Sequence, residues 1–175
     1  MADEEIAVRL IKSGEEQEVA ESLLAAYESS YEINAEYRAW ILDVPARVAD
    51  NEVWVARGVT SGQLYGSFVV RRPGAEALLD HTQPDEFDFK LLGVDPGVRR
   101  HGIGAYLVGQ IIELARQRGF TRVVLNSVDY MRPAHRLYER LGFERLPERT
   151  KVKDDGTVVY VFGRDIGAST EGDRS

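Results

Sequence analysis

Apolar and polar positions alternate along this chain in a way that divides it into strands and helices. Residues 6–11 (Ile6 to Ile11) read as an opening strand. Residues 15–31 follow, with Val19, Leu23, Leu24 and Tyr27 at helical spacing and glutamates at the front, where the helix dipole favours negative charge. Tyr31, Tyr37 and Trp40 belong to a second, shorter helical stretch, which Pro45 interrupts. Residues 52–57 and 63–72 are strand-like, and the turn chemistry of residues 58–62 joins them as a hairpin. Residues 72–86, rich in Pro, Gly and polar side chains, read as a surface loop. A strand over 87–94 ends at Asp95-Pro96-Gly97. The clearest helix comes next. Ile103, Leu107, Ile111 and Leu114 keep one face apolar, and Gly119 stops it. Residues 121–128 form a strand. Residues 132–143 form a helix through Ala134, Leu137, Tyr138 and Leu141, capped by Gly142. Residues 157–166 form the last strand. The fold class is α+β, with a strand–helix–strand–helix–strand second half and no internal repeat.

The length, 175 residues, suits one domain, here 1–166, with 167–175 as a disordered tail that has nothing to pack. Apolar content of 43% and charged content of 29% fit a soluble globular chain. There is no cysteine, which excludes disulfides and cysteine nucleophiles, and the three histidines without an H-E-x-x-H pattern give a metal site little support. The acidic start lacks an apolar signal segment and no apolar run reaches bilayer length, so the expected location is cytoplasmic with no membrane partner. A net charge of −7 argues against nucleic-acid binding.

One basic stretch stands out in this acidic chain: Arg99-Arg100-His101-Gly102-Ile103-Gly104, where a strand hands over to a helix. The first N–H groups of a helix lack intrahelical partners, and glycines let a backbone approach a bulky anion closely. A strand, glycine turn and helix therefore make a phosphate or pyrophosphate site. The nucleotide pattern G-x-x-x-x-G-K-[ST] is absent, and the dinucleotide pattern fails at Leu107. On the glycines alone, tight strand–helix packing is an equal reading.

The downstream residues carry a resemblance. Arg99, Gly102 and Gly104 match R/Q-x-x-G-x-G/A, and Ala134, Leu137, Tyr138, Gly142 and Phe143 match A-x-x-L-Y-x-x-x-G-F. Over about residues 86–145 the chain resembles the GNAT superfamily of acyl-CoA-dependent N-acetyltransferases. The resemblance implies a central mixed, mostly antiparallel sheet flanked by helices and splayed between the fourth and fifth strands. It implies acetyl-CoA as acyl donor. The pyrophosphate would lie on the N–H groups of Arg100, His101, Gly102, Ile103, Gly104 and Ala105, beside Arg99. The pantetheine arm would pair with Leu92, Gly93 and Val94, and the acyl group would enter near Asn126.

The implied reaction is attack of a neutral amine on the thioester carbon. Tyr138 matches the family's general acid, since a phenol of pKa about 10 can protonate a thiolate of about 8.5. The N–H of Leu92 or Gly93 would hold the oxyanion. Asp88 takes the place of the family's strand carboxylate, and Glu86 lies two residues earlier on the same face; either could serve as base through a water or bind the amine. Tyr31, Tyr37 and Trp40 are candidates to line the amine pocket. His101 faces phosphate or solvent, and His135 points away from Tyr138 and takes no role. Two departures bear on the ligands: Met131 stands where the family often has Asn, and Asn126 stands where acetylators of ribosomal-protein N-termini carry Glu. The acceptor expected is a small-molecule primary amine. A protein, peptide or tRNA acceptor, or a non-catalytic acyl-CoA-binding domain, is the alternative. Many relatives dimerise, which leaves a homodimer open.

Overall fold

A computed structural model describes residues 4–98 and 102–167, so that all of the expected tail except Gly167 lies outside the described residues. The strands are β1 (Ile6–Leu10), β2 (Glu52–Gly58), β3 (Leu64–Val70), β4 (Glu86–Val94), β5 (Arg122–Val128), β6 (Glu144–Arg145), β7 (Lys151–Val152) and β8 (Val158–Asp165). The α-helices are α1 (Glu16–Glu28), α2 (Ala35–Leu42), α3 (Val44–Asp50), α4 (Ile103–Gln117) and α5 (Arg132–Arg140). The sheet order is β1-β2-β3-β4-β5-β8-β6, with β7 also on β8. β4 and β5 are parallel, while β1–β2, β2–β3, β5–β8, β6–β8 and β7–β8 are antiparallel. This is the mixed, mostly antiparallel sheet expected. A parallel pair needs a long crossover, and α4 supplies it.

Contacts group the chain into two compact units, Met1–Gly74 with Leu91–Val108, and Ala75–Lys90 with Gly109–Ser175. In the first, Val19, Ala20, Leu23 and Leu24 of α1 pack with Ile41, Val44, Val53, Val55, Leu64, Val69 and Leu91. Pro45 does not interrupt a helix, as expected, but sits in the first turn of α3. There its missing N–H is not needed. Asp43 Oδ1 accepts the Ala46 N–H at 3.3 Å as the cap. The entry to α1 is held by charge. Glu15 accepts from Arg9 at 2.8 Å and from the Lys12 N–H at 2.7 Å, and these bonds pull its pKa down to about 2. Gly66 of β3 marks a close approach: a Cβ there would lie 2.7 Å from the Gly93 carbonyl oxygen and 2.8 Å from a Leu107 methyl.

In the second unit, Val123, Val124 and Leu125 of β5 and Phe162 of β8 are almost fully buried. β6 and β7 were not foreseen. Each has two exposed residues, too few to show a period. The buried face of α4 also differs from expectation. It runs through Ile103, Leu107, Val108, Ile111, Ile112 and Ala115, with Leu114 only half-buried. Gly119 (φ 84°) and Gly142 (φ 84°) end α4 and α5 in the left-handed conformation, as their positions imply.

His135 corrects a further expectation. It lies three residues before Tyr138 and therefore on the same inward side of α5. It is 5% exposed, its Nε2 is 3.0 Å from Ser127 Oγ, and its ring packs on Phe162. Burial is the main cause that holds its pKa below 6.5. The unfolded chain then binds the proton more readily than the folded one, so stability is full above pH 6.5 and falls as pH drops through the lowered folded value. Denaturant midpoints measured against pH are expected to fall below about pH 6.5 in the parent and less steeply in His135→Gln. The Glu15 contribution is lost in a separate window, between 4.5 and about 2.

Candidate functional site

The strand expected to carry an extended ligand changes character along its length. β4 runs beside β5 with Glu86, Phe87 and Asp88 opposite Arg122, Val123 and Val124. Three residues on, Leu91 has φ 53°, the only positive φ of a non-glycine residue among those described. A leucine in that region is strained by order 1–3 kcal/mol and resets which way the following side chains point. Beyond it Gly93 is buried, while Leu92 and Val94 are half-buried. A Cβ on Gly93 would press to 2.6 Å from a Leu23 methyl of α1.

The turn into α4 follows at once. Asp95 donates its N–H to the Tyr65 carbonyl at 2.8 Å, and its Oδ1 accepts the Gly97 N–H at 2.7 Å. A 3₁₀ turn over Pro96–Val98 plants Val98 in the interior. Arg99, Arg100 and His101 lie outside the described residues. Gly102 has φ 73° with open space where a Cβ would stand. Here conformation, rather than crowding, calls for glycine. Tyr106 donates its N–H to Gly102 O at 3.0 Å, the first such bond of α4. The N–H groups of Ile103, Gly104 and Ala105 precede it and have no acceptor among the described residues, so this end of α4 suits an anion. Leu92, Gly93, Val94, Gly102, Ile103, Gly104 and Ala105 all belong to the first unit.

Tyr138, Glu86, Asp88 and Asn126 belong to the second. Side chains opposite one another across a ladder point the same way, and every second residue shares a face. Asp88 opposite Val124 therefore places Glu86, Asp88 and Asn126 on one face. Tyr138 packs against Phe89 at 6.1 Å between ring centroids, and His135 meets Ser127, so α5 covers the other face. Tyr138 is 7% exposed and also packs on Phe143 and Phe162. The two carboxylates differ in their commitments. Glu86, 1% exposed, is 2.7 Å from Arg149 and 3.5 Å from Arg122, and accepts the Gln83 N–H at 2.8 Å. Its contacts to two guanidinium groups fix its place in the frame, and losing either partner would leave it buried with less compensation. Asp88, fully buried, uses only Oδ2, which accepts the Leu79 N–H at 2.9 Å and the Thr82 hydroxyl at 2.8 Å. Its Oδ1 is buried and has no hydrogen-bond partner.

These bonds draw the loop ahead of β4 over this face. His81 stands between Leu79 and Thr82, and its Nε2 meets Asn126 Oδ1. Asp80 pairs with Lys151 of β7. Sequence reading left His81 without a role, for a lone histidine in a polar loop carries no spacing that ties it to a strand 45 residues later. Of the three aromatics suggested for the amine pocket, Tyr37 and Trp40 stack at 5.4 Å, with Arg47 4.4 Å from the Trp40 ring. Tyr31 packs on Tyr27 outside α2.

Comparison with known proteins agrees with this fold. The sequence model of the Acetyltransferase (GNAT) family matches residues 17–143. A probable N-acetyltransferase, camello, of Xenopus tropicalis is 35% identical over 112 residues, which cover 61% of this chain and 47% of that protein. The chain spans less than half the length of the first curated relatives it matches. Among solved structures, an acetyltransferase of the GNAT family from Staphylococcus aureus superposes with a TM-score of 0.67 at 15% identity, over 92% of this chain and 99% of that one. A GNAT family acetyltransferase from Elizabethkingia anophelis with acetyl-CoA bound gives 0.64 at 14% identity, over 92% and 98%. At such identities these two speak for the fold alone.

Proposed function

The chain belongs to the GNAT acetyltransferase family, and from that premise we propose that it transfers an acetyl group from acetyl-CoA to the primary amine of a small molecule, by direct attack in a ternary complex. The observation that carries this reading is the glycine turn into α4. A left-handed Gly102 opens a helix whose first N–H groups find no acceptor among the described residues, directly after the half of β4 that follows the strained Leu91. A pyrophosphate suits those N–H groups, and the backbone of Leu92, Gly93 and Val94 suits an extended pantetheine arm. Arg99, Arg100 and His101, outside the described residues, belong to the same motif in the sequence.

The chemistry needs a proton removed from the amine, an oxyanion held, and a proton given to the leaving thiolate. The amine nitrogen bonds to the carbonyl carbon as the carbon–sulfur bond breaks. Tyr138 is the donor to sulfur, and the N–H of Leu92 or Gly93 is the oxyanion partner. Asp88 is the carboxylate that receives the cationic amine, because one of its oxygens is uncommitted, and Glu86 holds Arg149 and Arg122 beside it. Asn126 flanks the acyl position on β5. Calorimetric titration of the purified chain with acetyl-CoA, and with adenosine diphosphate and NAD as comparisons, tests the donor. Selective binding of acetyl-CoA is the expected result. Equal or absent binding of all three would reduce the glycine turn to a packing device.

A further inference from the structure

We propose that His81 accepts the proton that frees the acceptor amine, while Asp88 binds the same ammonium group; this rests on the acetyl-transfer reading above. Four described side-chain atoms are buried without a hydrogen-bond partner. Two of them, Arg57 Nε and Arg122 Nε, still face carboxylates, from Glu15 at 3.1 Å and Asp165 at 3.3 Å. The other two are His81 Nδ1, in the loop drawn across the Glu86–Asp88–Asn126 face, and Asp88 Oδ1, on that face. Leaving a buried polar atom unpaired is costly, so such atoms ask for an explanation.

The tautomer of His81 is set by its neighbour. Asn126 presents its carbonyl oxygen, an acceptor, so Nε2 carries the hydrogen and Nδ1 keeps its lone pair. Both orphan atoms are then acceptors. A single ligand satisfies them if it brings two or more N–H donors, and a primary ammonium brings three. Asp88 supplies carboxylate oxygens and His81 an imidazole lone pair. Leu79 and Thr82, on either side of His81, both donate to Asp88 Oδ2 and so close the loop over it in this structure. Beside His81 in the loop, Asp80 is paired with Lys151 of β7; β5 contributes the neutral Asn126, and Asp88 of β4 is tied to the same loop through Leu79 and Thr82. Both orphan atoms are closed to solvent, so an amine reaches them as residues 78–82 lift from Asp88 and Asn126.

The proton balance follows. The ammonium gives one proton to His81 Nδ1 and becomes a nucleophile. Its nitrogen bonds to the thioester carbon as the carbon–sulfur bond breaks. Tyr138 protonates the thiolate, and the second proton shed by nitrogen restores Tyr138 through solvent. His81 returns its proton to solvent, so the products are amide, free thiol and one proton.

The test uses the full chain labelled with ¹⁵N-histidine, with long-range ¹H–¹⁵N spectra and His81→Gln to assign the resonance. His81 is expected to carry its proton on Nε2. Methylammonium chloride, added in the presence of CoA, is expected to move the His81 Nδ1 signal but not that of His135, and Asp88→Asn to weaken this response about tenfold or more. A proton on Nδ1, or a His81 signal indifferent to methylammonium, overturns the proposal even if acetyl-CoA binds. Failure of acetyl-CoA to bind overturns the transferase reading instead, and is measured separately by calorimetry. With amines that are turned over, His81→Gln is expected to lower kcat about 10²-fold or more at an unchanged KM for acetyl-CoA and an unchanged unfolding midpoint. An unaltered kcat overturns the base role.

Discussion

Tyr138→Phe is expected to reduce acetyl transfer by about 10²-fold or more while acetyl-CoA binds as in the parent. The reason lies in what the substitution keeps. The ring of Tyr138 packs at 5.8 to 6.1 Å from the rings of Phe89, Phe143 and Phe162, and phenylalanine preserves all three contacts. Only the hydroxyl leaves. A thiolate of pKa about 8.5 then departs without its donor, and the transition state carries that charge. Single-turnover rates and calorimetry on the same preparation separate the two effects. A rate equal to the parent's would remove Tyr138 from the chemistry and leave it a core aromatic.

Gly66→Val is expected to cost about 3 kcal/mol or more of folding stability, the upper part of the overpacking range. The first added carbon meets a carbonyl oxygen of the adjoining strand at 2.7 Å and a Leu107 methyl at 2.8 Å. The methyl can turn aside, but a strand carbonyl cannot move without disturbing its neighbours. For a chain of this length the loss corresponds to a fall of about 6–12 °C in Tm, read by thermal unfolding. An unchanged Tm would mean that β3 and the Gly93 end of β4 are spaced more loosely than described.

Periodicity revealed those elements whose burial is one-sided and long. α5 and the outline of α4 were legible because each spans enough turns to repeat its pattern, and Gly119 and Gly142 ended them by a rule of backbone conformation. Pro45 misled because proline reads equally as a stop and as a first-turn residue, and only the cap from Asp43 decides. β6 and β7 are too short to have a period, and exist because β8 offers them an edge. The glycine turn into α4 was legible, since its glycines, its strand and its helix are adjacent in the chain, though Arg99, Arg100 and His101 lie outside the described residues. The face opposite α5 was legible only in part. Asp88 and Glu86 follow from strand alternation, but their different fates depend on Arg122, Arg149, Leu79 and Thr82. Those partners lie as far as 63 residues away, and no local pattern announces them.

The unpaired oxygen of Asp88 has a consequence for anyone who would harden this protein. A carboxylate fully enclosed with half its capacity unused works against folding, and an apolar side chain of similar size removes that burden. Selection for thermal endurance alone would therefore drift toward losing the acid at position 88, and with it the role proposed for it in holding the amine. On the proposed reading, the aspartate marks a place where this chain gives up robustness for reactivity.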